Sequence, residues 1–291
     1  MKLDQNLNIL IVGLGLMGGS YAAALTKQGY RVSAVDPDAD AIAWAKDNGL
    51  IAVGATEPET ELLYNADLVV FAVYPHILLP WIEQHQKELM PGAVLTDVTG
   101  VKSCFLYDVQ AKIRPDLEFI AAHPMAGREV SGVKNSDPSI FCDANYIVVP
   151  TDANTFSAIQ LCKSLGETLG FKRISSLPPK AHDEMIGFVS QLTHMIAVCL
   201  MTCSKSEHLV DYTGDSFRDL TRIARINEDM WSELFLLNKE ALLQQMEKFS
   251  AEFDLLYRML KEEDAEGLKE KMRRSTSRRA LFDTEKKENA L

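Results

Sequence analysis

The chain has 291 residues, of which 47% are hydrophobic, so it is long enough to bury a sizeable core and to form about two domains. Its formal net charge of −11 repels nucleic acid and anionic membranes, so we expect neither as a partner, and any anionic ligand needs a local basic pocket. No apolar run approaches the ~18 residues of a membrane span. The N-terminus lacks a secretory pattern, and the five cysteines are odd in number without CxxC spacing, so we expect a cytoplasmic protein.

The beginning of the chain has the pattern of a dinucleotide-binding unit. A strand-like apolar run at residues 8–12 leads into Gly13-Leu14-Gly15-Leu16-Met17-Gly18, and a small-residue helical stretch follows. In such a unit the first glycine makes a tight turn, the second lets the backbone approach a pyrophosphate, and the third lets helix and strand pack closely. The predicted cofactor-binding residues of this loop are Gly13, Gly15, Leu16, Met17 and Gly18.

An acidic residue follows the next predicted strand. The run at residues 31–35 ends at Asp36, which lies 18 residues after Gly18. A carboxylate at about this spacing accepts hydrogen bonds from the ribose 2′-hydroxyl of NAD and repels the 2′-phosphate of NADP. The sequence therefore predicts NAD as the cofactor, with Asp36 as a ribose contact.

Apolar runs rich in β-branched residues then alternate with helical stretches. Strands are predicted at residues 68–73, 94–98, 119–122, 146–149 and 171–175. Helices are predicted at residues 38–48, 76–89, 102–113 and 154–169. This alternation indicates an α/β fold with an N-terminal doubly wound, Rossmann-type parallel sheet.

The character of the chain changes at Leu177-Pro178-Pro179, after which no convincing strand is found. Long helices are predicted at residues 181–203 and 228–262, and the second carries apolar residues at helical spacing. We therefore predict a domain at residues 1–177 that binds NAD and an all-helical domain at residues 178–291. Pairing of two helical domains in a homodimer would bury the apolar stripe, and a monomer with a self-contained helical core is left open.

Two chemically useful side chains fall at the ends of predicted strands. Asp97 lies in the strand at residues 94–98, and His123 directly follows the strand at residues 119–122. Ligands of open α/β sheets bind at the carboxyl ends of the strands, so both are expected at the cofactor cleft. An imidazole with an ordinary pKa of ~6.5 can take a proton from an alcohol near neutral pH while hydride leaves the same carbon.

Longer motifs resemble the prephenate dehydrogenase family. They are the glycine loop continued to Ser20, Asp97-Val98-Thr99-Gly100-Val101-Lys102, the decapeptide from His123 to Gly132, and Asp219-Leu220-Thr221-Arg222-Ile223-Ala224 followed by Met230-Trp231. The similarity runs from about residue 8 to residue 260. It implies NAD-dependent oxidative decarboxylation of prephenate, a small dianion, to 4-hydroxyphenylpyruvate and CO2 in tyrosine biosynthesis.

The resemblance also implies roles for individual residues. His123 corresponds to the catalytic histidine that binds and deprotonates the ring hydroxyl, and Arg222 to the arginine that holds a substrate carboxylate. Lys102 corresponds to a lysine near the pyruvyl side chain. Gln191 and His194 are implied as substrate contacts, and His182 as a further family histidine with substrate or structural function. From its position at a strand end we predict Asp97 as a cofactor contact, and we predict Glu129 as a gate that pairs with a basic residue.

One position departs from the family pattern. The family commonly has serine where this chain has Gly100, and that hydroxyl helps to orient the catalytic histidine. Thr99, Ser103 or a water molecule remain open as replacements. No metal site is predicted.

Three alternatives to a prephenate dehydrogenase remain open. Arogenate differs from prephenate only in its side chain, which the sequence does not separate. A β-hydroxyacid dehydrogenase shares the glycine loop and a helical second domain, but its glycine-rich lysine motif is not found. A non-enzymatic NAD-sensing protein would leave His123, Lys102 and Arg222 without a common purpose.

Overall fold

The structure, a computed structural model, describes residues 3–288. The chain divides into two compact units, residues 1–239 and residues 240–291. The first unit contains every strand found in the described part of the chain.

A six-stranded parallel sheet organises the first unit, with strand order β3-β2-β1-β4-β5-β6. Its strands are β1 (Asn8–Val12), β2 (Arg31–Val35), β3 (Val53–Ala55), β4 (Leu68–Phe71), β5 (Val94–Asp97) and β6 (Glu118–Phe119). The helices that connect them are α1 (Leu16–Lys27), α2 (Ala39–Asp47), α3 (Thr60–Tyr64), α4 (Pro75–His85) and α5 (Leu106–Lys112). The predicted Rossmann-type sheet is confirmed.

The central strands are apolar on both sides because helices cover both faces of the sheet. Ile9 and Ile11 of β1 belong to one buried cluster, whereas Leu10 and Val12 belong to another. Side chains alternate across a strand, so the two clusters lie on opposite faces. This layered packing fixes the ends of β1, β2 and β5, where the predicted site residues are found.

A second, three-stranded sheet follows, in the order β7-β8-β9. Its strands are β7 (Ala121–Pro124), β8 (Asn145–Val149) and β9 (Arg173–Ser176), with helix α6 (Phe156–Leu169) between the last two. β7 pairs with β8 antiparallel and β8 with β9 parallel. The single strand predicted at residues 119–122 is therefore wrong: it divides at Ile120 between β6 and β7, and His123 lies inside β7 opposite Ile147.

Helices complete the first unit: α7 (Pro179–Ile186), a π-helical turn (Gly187–Gln191), α8 (Leu192–Thr202), α9 (Leu209–Tyr212), α10 (Asp215–Thr221) and α11 (Glu228–Leu237). Within the described residues, the continuous segment Pro179–Thr202 is long and apolar enough to cross a membrane by length and composition alone, which the sequence analysis did not anticipate. Three of its polar side chains, on His182, Asp183 and Gln191, are buried in hydrogen bonds to other elements of this unit. These hydrogen bonds tie the first part of the segment to the rest of the unit.

The single long helix predicted at residues 228–262 is wrong, because α11 ends at Leu237 and α12 (Lys239–Lys261) begins after Asn238. Asn238 has non-helical backbone angles (φ −112°, ψ 25°), and its side-chain amide donates to the Asp183 carbonyl at 2.9 Å and to Gln191 Oε1 at 2.7 Å. These tertiary hydrogen bonds accompany the break.

The second unit consists of nearly all of α12 and of α13 (Ala265–Glu288). Glu263 adopts a left-handed conformation (φ 57°) in the turn between the two helices. Lys271 pairs with Glu252 across the hairpin at 2.7 Å.

Candidate active site

The glycine loop between β1 and α1 is tightly packed at two of its three glycines. Gly13 has a left-handed φ of +97°, and a Cβ there would lie 2.5 Å from the carbonyl oxygen of Ala72. A Cβ on Gly18 would lie 1.9 Å from the Gly13 carbonyl oxygen. Because neither space admits a methyl group, these glycines bring α1 against the loop and the end of β4.

Gly15, in contrast, faces open space, since a Cβ built on it would meet nothing within 4 Å. It caps the N-terminus of α1, where the amides of Leu16, Met17 and Gly18 have no carbonyl acceptor within the helix. Such amides, together with the helix dipole, bind phosphate groups. The loop therefore fits the pyrophosphate of NAD, with room for it at Gly15.

Asp36 follows β2 beside this loop. One oxygen of its carboxylate, Oδ2, accepts a hydrogen bond from the Leu14 amide at 2.5 Å, and Oδ1 accepts from the Asp38 amide at 2.8 Å. The carboxylate is thus held next to the glycine loop, as a ribose contact requires. The residues of this cradle fit the adenosine end of NAD.

Asp97, at the end of β5, is completely buried and pairs with the buried ammonium group of Lys102 at 2.5 Å. Its carboxylate also accepts hydrogen bonds from the Thr99 amide at 2.9 Å, from the Thr99 hydroxyl, and from the Ala122 amide at 3.1 Å. The ammonium in turn donates to the Thr99 carbonyl at 2.8 Å and to the Thr99 hydroxyl at 3.0 Å. This ion pair joins the 98–102 loop to β7, one residue before His123.

The burial of this pair affects two predictions. Asp97 as a cofactor contact and Lys102 as a substrate contact both stay predictions, and the structure places their charged groups against each other instead of at an open surface. Burial lowers the pKa of Lys102, although the adjacent Asp97 opposes this effect. The observed role of the pair is to anchor the loop that precedes the histidine strand.

His123 is partly buried near the end of β7, and its ring contacts a second histidine. Nδ1 of His123 lies 3.0 Å from Nε2 of His182, and Nδ1 of His182 lies 2.8 Å from Oδ1 of Asp183. His182 is completely buried and Asp183 nearly so. The two rings meet edge to face, with centroids 5.1 Å apart. Sequence analysis placed His182 near the site, but it missed Asp183.

The surroundings of His123 keep its ring neutral. Burial, the neighbouring His182 and the charge of Lys102 hold the pKa of His123 well below the ordinary value of 6.5. Burial also lowers the pKa of His182. Because a neutral imidazole can accept a proton, His123 is suited to act as a general base near neutral pH.

Gly100 lies next to the other edge of the His123 ring. A Cβ there would be 3.8 Å from Cε1 and Nε2 of His123 and 3.7 Å from Leu234. The Thr99 hydroxyl forms hydrogen bonds with Asp97, Val101 and Lys102, and the Ser103 side chain forms a hydrogen bond with Asp183. Neither hydroxyl contacts His123, so the predicted replacement of the family serine by Thr99 or Ser103 is not seen.

A charged cluster brings the predicted carboxylate-binding residue close to the predicted gate. Arg222 follows α10 and donates to Glu129 Oε1 at 2.6 Å, with 66% of its side chain exposed. His194 is partly buried, and its ring packs against Trp231 with a centroid distance of 3.7 Å and an interplanar angle of 31°. Burial lowers the pKa of His194, and Glu129 and Arg222 are close enough to act on it electrostatically. The structure thus brings Arg222, Glu129 and His194 together.

Gln191 is outside this cluster. It is buried, its amide nitrogen donates to the Leu234 carbonyl at 2.9 Å, and its amide oxygen accepts from Asn238 at 2.7 Å. Its observed contacts hold α11 against the π-helical turn, and its role as a substrate contact stays a prediction.

Comparison with known proteins identifies two family domains. The nucleotide-binding domain of prephenate dehydrogenase matches residues 21–175, and the dimerization domain of prephenate dehydrogenase matches residues 178–274. The prephenate dehydrogenase of Lactococcus lactis subsp. cremoris (strain MG1363) is 30% identical over 270 residues, which are 89% of this chain and 73% of the relative. The cyclohexadienyl dehydrogenase of Zymomonas mobilis subsp. mobilis is 26% identical, over 96% of this chain and 97% of the relative.

The solved structure of prephenate dehydrogenase from A. aeolicus in complex with hydroxyphenyl propionate and NAD+ has a similar fold. It superimposes with a TM-score of 0.87 at 28% identity and covers 97% of this chain and 100% of that chain. The glycine loop, Asp36 and the histidine strand are therefore parts of an NAD-dependent oxidoreductase, and the chain belongs to the prephenate dehydrogenase family.

Proposed function

We propose that this protein catalyses the NAD-dependent oxidative decarboxylation of prephenate to 4-hydroxyphenylpyruvate and CO2. The observation that carries this proposal is the neutral, partly buried His123 on β7, whose neighbour Ala122 donates its amide to Asp97 at the carboxyl end of β5. No hydrogen bond to Nε2 of His123 is found among the described residues, so this nitrogen is available to a substrate hydroxyl.

The chemistry assigned to His123 is a transient proton transfer. Nε2 accepts the proton of the ring hydroxyl as the hydride leaves the same carbon, and bound NAD supplies the acceptor for that hydride. The substrate then loses its ring carboxylate as CO2, and the electron pair of the broken bond makes the ring aromatic. His123 returns the proton to the ring oxygen, so the phenol product and a neutral imidazole are both restored.

Arg222 is the proposed anchor for a substrate carboxylate. In a chain of net charge −11, an exposed guanidinium beside the site provides local attraction for a dianion. A guanidinium binds a carboxylate through two parallel hydrogen bonds, which also orients the substrate. Glu129 pairs with Arg222 in the structure. We propose that a substrate carboxylate displaces Glu129, which is the gating role expected from the sequence.

Arogenate is the second candidate substrate, since a relative with 26% identity over nearly the whole chain is a cyclohexadienyl dehydrogenase. Arogenate carries an ammonium group where prephenate carries the keto oxygen of its pyruvyl group, and both have the side-chain carboxylate. The reaction at the ring, and therefore the role of His123, is the same for both substrates.

We further propose that two chains associate through their C-terminal helices. On α12, Phe249, Phe253, Leu256 and Leu260 recur at helical spacing, and between 40% and 69% of each side chain is exposed in the single chain. The family's dimerization domain matches this region, which supports a second copy as the partner. We also propose the domain boundary at 177/178, which lies between the end of one family model at residue 175 and the start of the other at residue 178. We propose a cytoplasmic location as well.

The absorbance of reduced nicotinamide tests the function. We expect it to rise when purified protein receives NAD with prephenate, and to rise much less with NADP because of Asp36. His123→Asn should reduce kcat by about 100-fold or more with a small change in KM, whereas Arg222→Gln should chiefly raise the KM for prephenate. Activity with arogenate and not with prephenate would change the assigned substrate and leave the mechanism unchanged. A near wild-type kcat in His123→Asn would contradict the proton-acceptor role of His123.

A further inference from the structure

A row of three buried or partly buried groups leads from the backbone of the 102–103 segment to the catalytic histidine. The carboxylate of Asp183 accepts hydrogen bonds from the Lys102 amide at 2.9 Å and the Ser103 amide at 2.7 Å. It contacts His182 Nδ1 at 2.8 Å, and His182 Nε2 contacts His123 Nδ1 at 3.0 Å. All three side chains come from segments that the fold fixes: β7 and the first two turns of α7.

The proton positions along this row follow from Asp183, whose carboxylate is held by two backbone amides. Backbone amides can only donate, so both oxygens of Asp183 act as acceptors, and Nδ1 of His182 must carry a proton to bond to one of them. A neutral His182 then has an unprotonated Nε2, which can only accept. Nδ1 of His123 must therefore be the donor, and the lone pair of His123 lies on Nε2.

We propose that His182 and Asp183 are positioning residues that hold His123 in the tautomer with the proton on Nδ1, so that Nε2 is the proton acceptor. Through the same row, Asp183 offsets the positive charge that His123 carries while it holds the substrate proton. The second statement rests on the proposed function, whereas the tautomer is a property of the free protein.

Two residues near His123, Lys102 and Gly100, explain why its ring depends on His182 and Asp183. Burial and Lys102 both disfavour a positive charge on the two rings, whereas Asp183 and Asp97 oppose this effect at His182. On the Nε2 side, Gly100 offers no side chain to hold the ring, since even a Cβ would be 3.8 Å away. The orientation of His123 thus depends on its Nδ1 side.

The direct test is the tautomeric state of His123 by NMR in protein labelled with 15N-histidine. The chain has six histidines, so the spectrum is simple to assign with single substitutions. At neutral pH and without substrate, we expect a protonated Nδ1 and an unprotonated Nε2 on His123. A protonated Nε2 in the wild-type protein would overturn the proposal, and this measurement does not depend on enzymatic activity.

His182→Leu removes the acceptor while filling similar space, and we expect the His123 signals to shift toward the Nε2-protonated form. Turnover should fall about tenfold or more, with the KM for substrate and for NAD within about twofold of wild type. His85→Leu is the matched control: His85 is a mostly buried histidine that packs against Trp81 on α4, outside the row. It should change neither the His123 tautomer nor kcat.

The outcomes separate this proposal from the proposed function. A folded His182→Leu protein with wild-type kcat and an unchanged His123 tautomer would refute the positioning role. If the wild-type protein has the expected tautomer but reduces no NAD with prephenate or arogenate, the proposed function fails while the assigned tautomer stands.

Discussion

Replacement of Lys102 by methionine is expected to lower the free energy of unfolding by about 3–5 kcal/mol, because it breaks a buried ion pair and leaves one charge without its partner. The ammonium group is completely buried, 2.5 Å from Asp97, and donates to two Thr99 oxygens at 2.8 and 3.0 Å. Methionine fills most of the same volume, so loss of packing contributes little. The Asp97 carboxylate would keep the Thr99 hydroxyl and two backbone amides as donors, which do not neutralise its charge.

Urea denaturation followed by circular dichroism measures this loss. Lys112→Met is the matched control, since Lys112 forms an exposed pair with Glu83 at 2.8 Å and its removal should leave the stability nearly unchanged. The double variant Asp97→Asn/Lys102→Met should recover part of the loss. A Lys102→Met protein of wild-type stability with a raised KM for prephenate would refute the structural role and support the substrate contact that the family resemblance implies.

Two further predictions concern the cofactor loop and pH. Gly15→Ala should keep wild-type stability but bind NAD about tenfold more weakly. Gly18→Ala should lower the free energy of unfolding by about 1–3 kcal/mol, because its Cβ would lie 1.9 Å from a carbonyl oxygen. Thermal denaturation and NAD titration check both variants, and equal stability of the two would contradict the packing argument. The acid limb of kcat/KM should lie below pH 6.5, because the lowered pKa keeps His123 neutral there; a limb above pH 7 would contradict this prediction.

The same lowered pKa values fix the sign of the pH dependence of stability. His123, His182 and His194 all have folded-state pKa values below that of an unfolded histidine. The unfolded chain therefore binds more protons below pH ~6.5, and stability should fall as the pH drops from there. The slope is at most about 1.4 kcal/mol per pH unit for each of His123 and His182, and it is smaller for the more exposed His194 because solvent screens its charge.

The parts of the site that the sequence predicts well are local in the chain. The β1 strand, the glycines at 13, 15 and 18 and the acid at 36 occur in order within one βαβ unit, and the backbone geometry of that unit requires glycine at 13 and 18. The periodicity of the central strands likewise follows from their burial on both faces. Such features need no knowledge of distant contacts.

Contacts between distant segments explain what the sequence did not predict. Nothing in the sequence around Lys102 indicates that the fold buries its ammonium group in an ion pair with Asp97. Asp183 contacts residues about 80 positions earlier, and His182 meets His123 across 59 positions. The helix predicted at residues 228–262 breaks at Asn238, although no proline or glycine is present there. At the break, the Asn238 side-chain amide donates hydrogen bonds to the Asp183 carbonyl and to Gln191. No pattern in the neighbouring sequence indicates these contacts.

The stoichiometry of products in a single reaction tests the central claim most directly. Wild-type protein with NAD and a limited amount of prephenate should yield reduced nicotinamide, CO2 and 4-hydroxyphenylpyruvate in equal amounts, because hydride loss and decarboxylation belong to one aromatising reaction. Reduced nicotinamide formed without CO2, or no reduction with either prephenate or arogenate, would contradict the account.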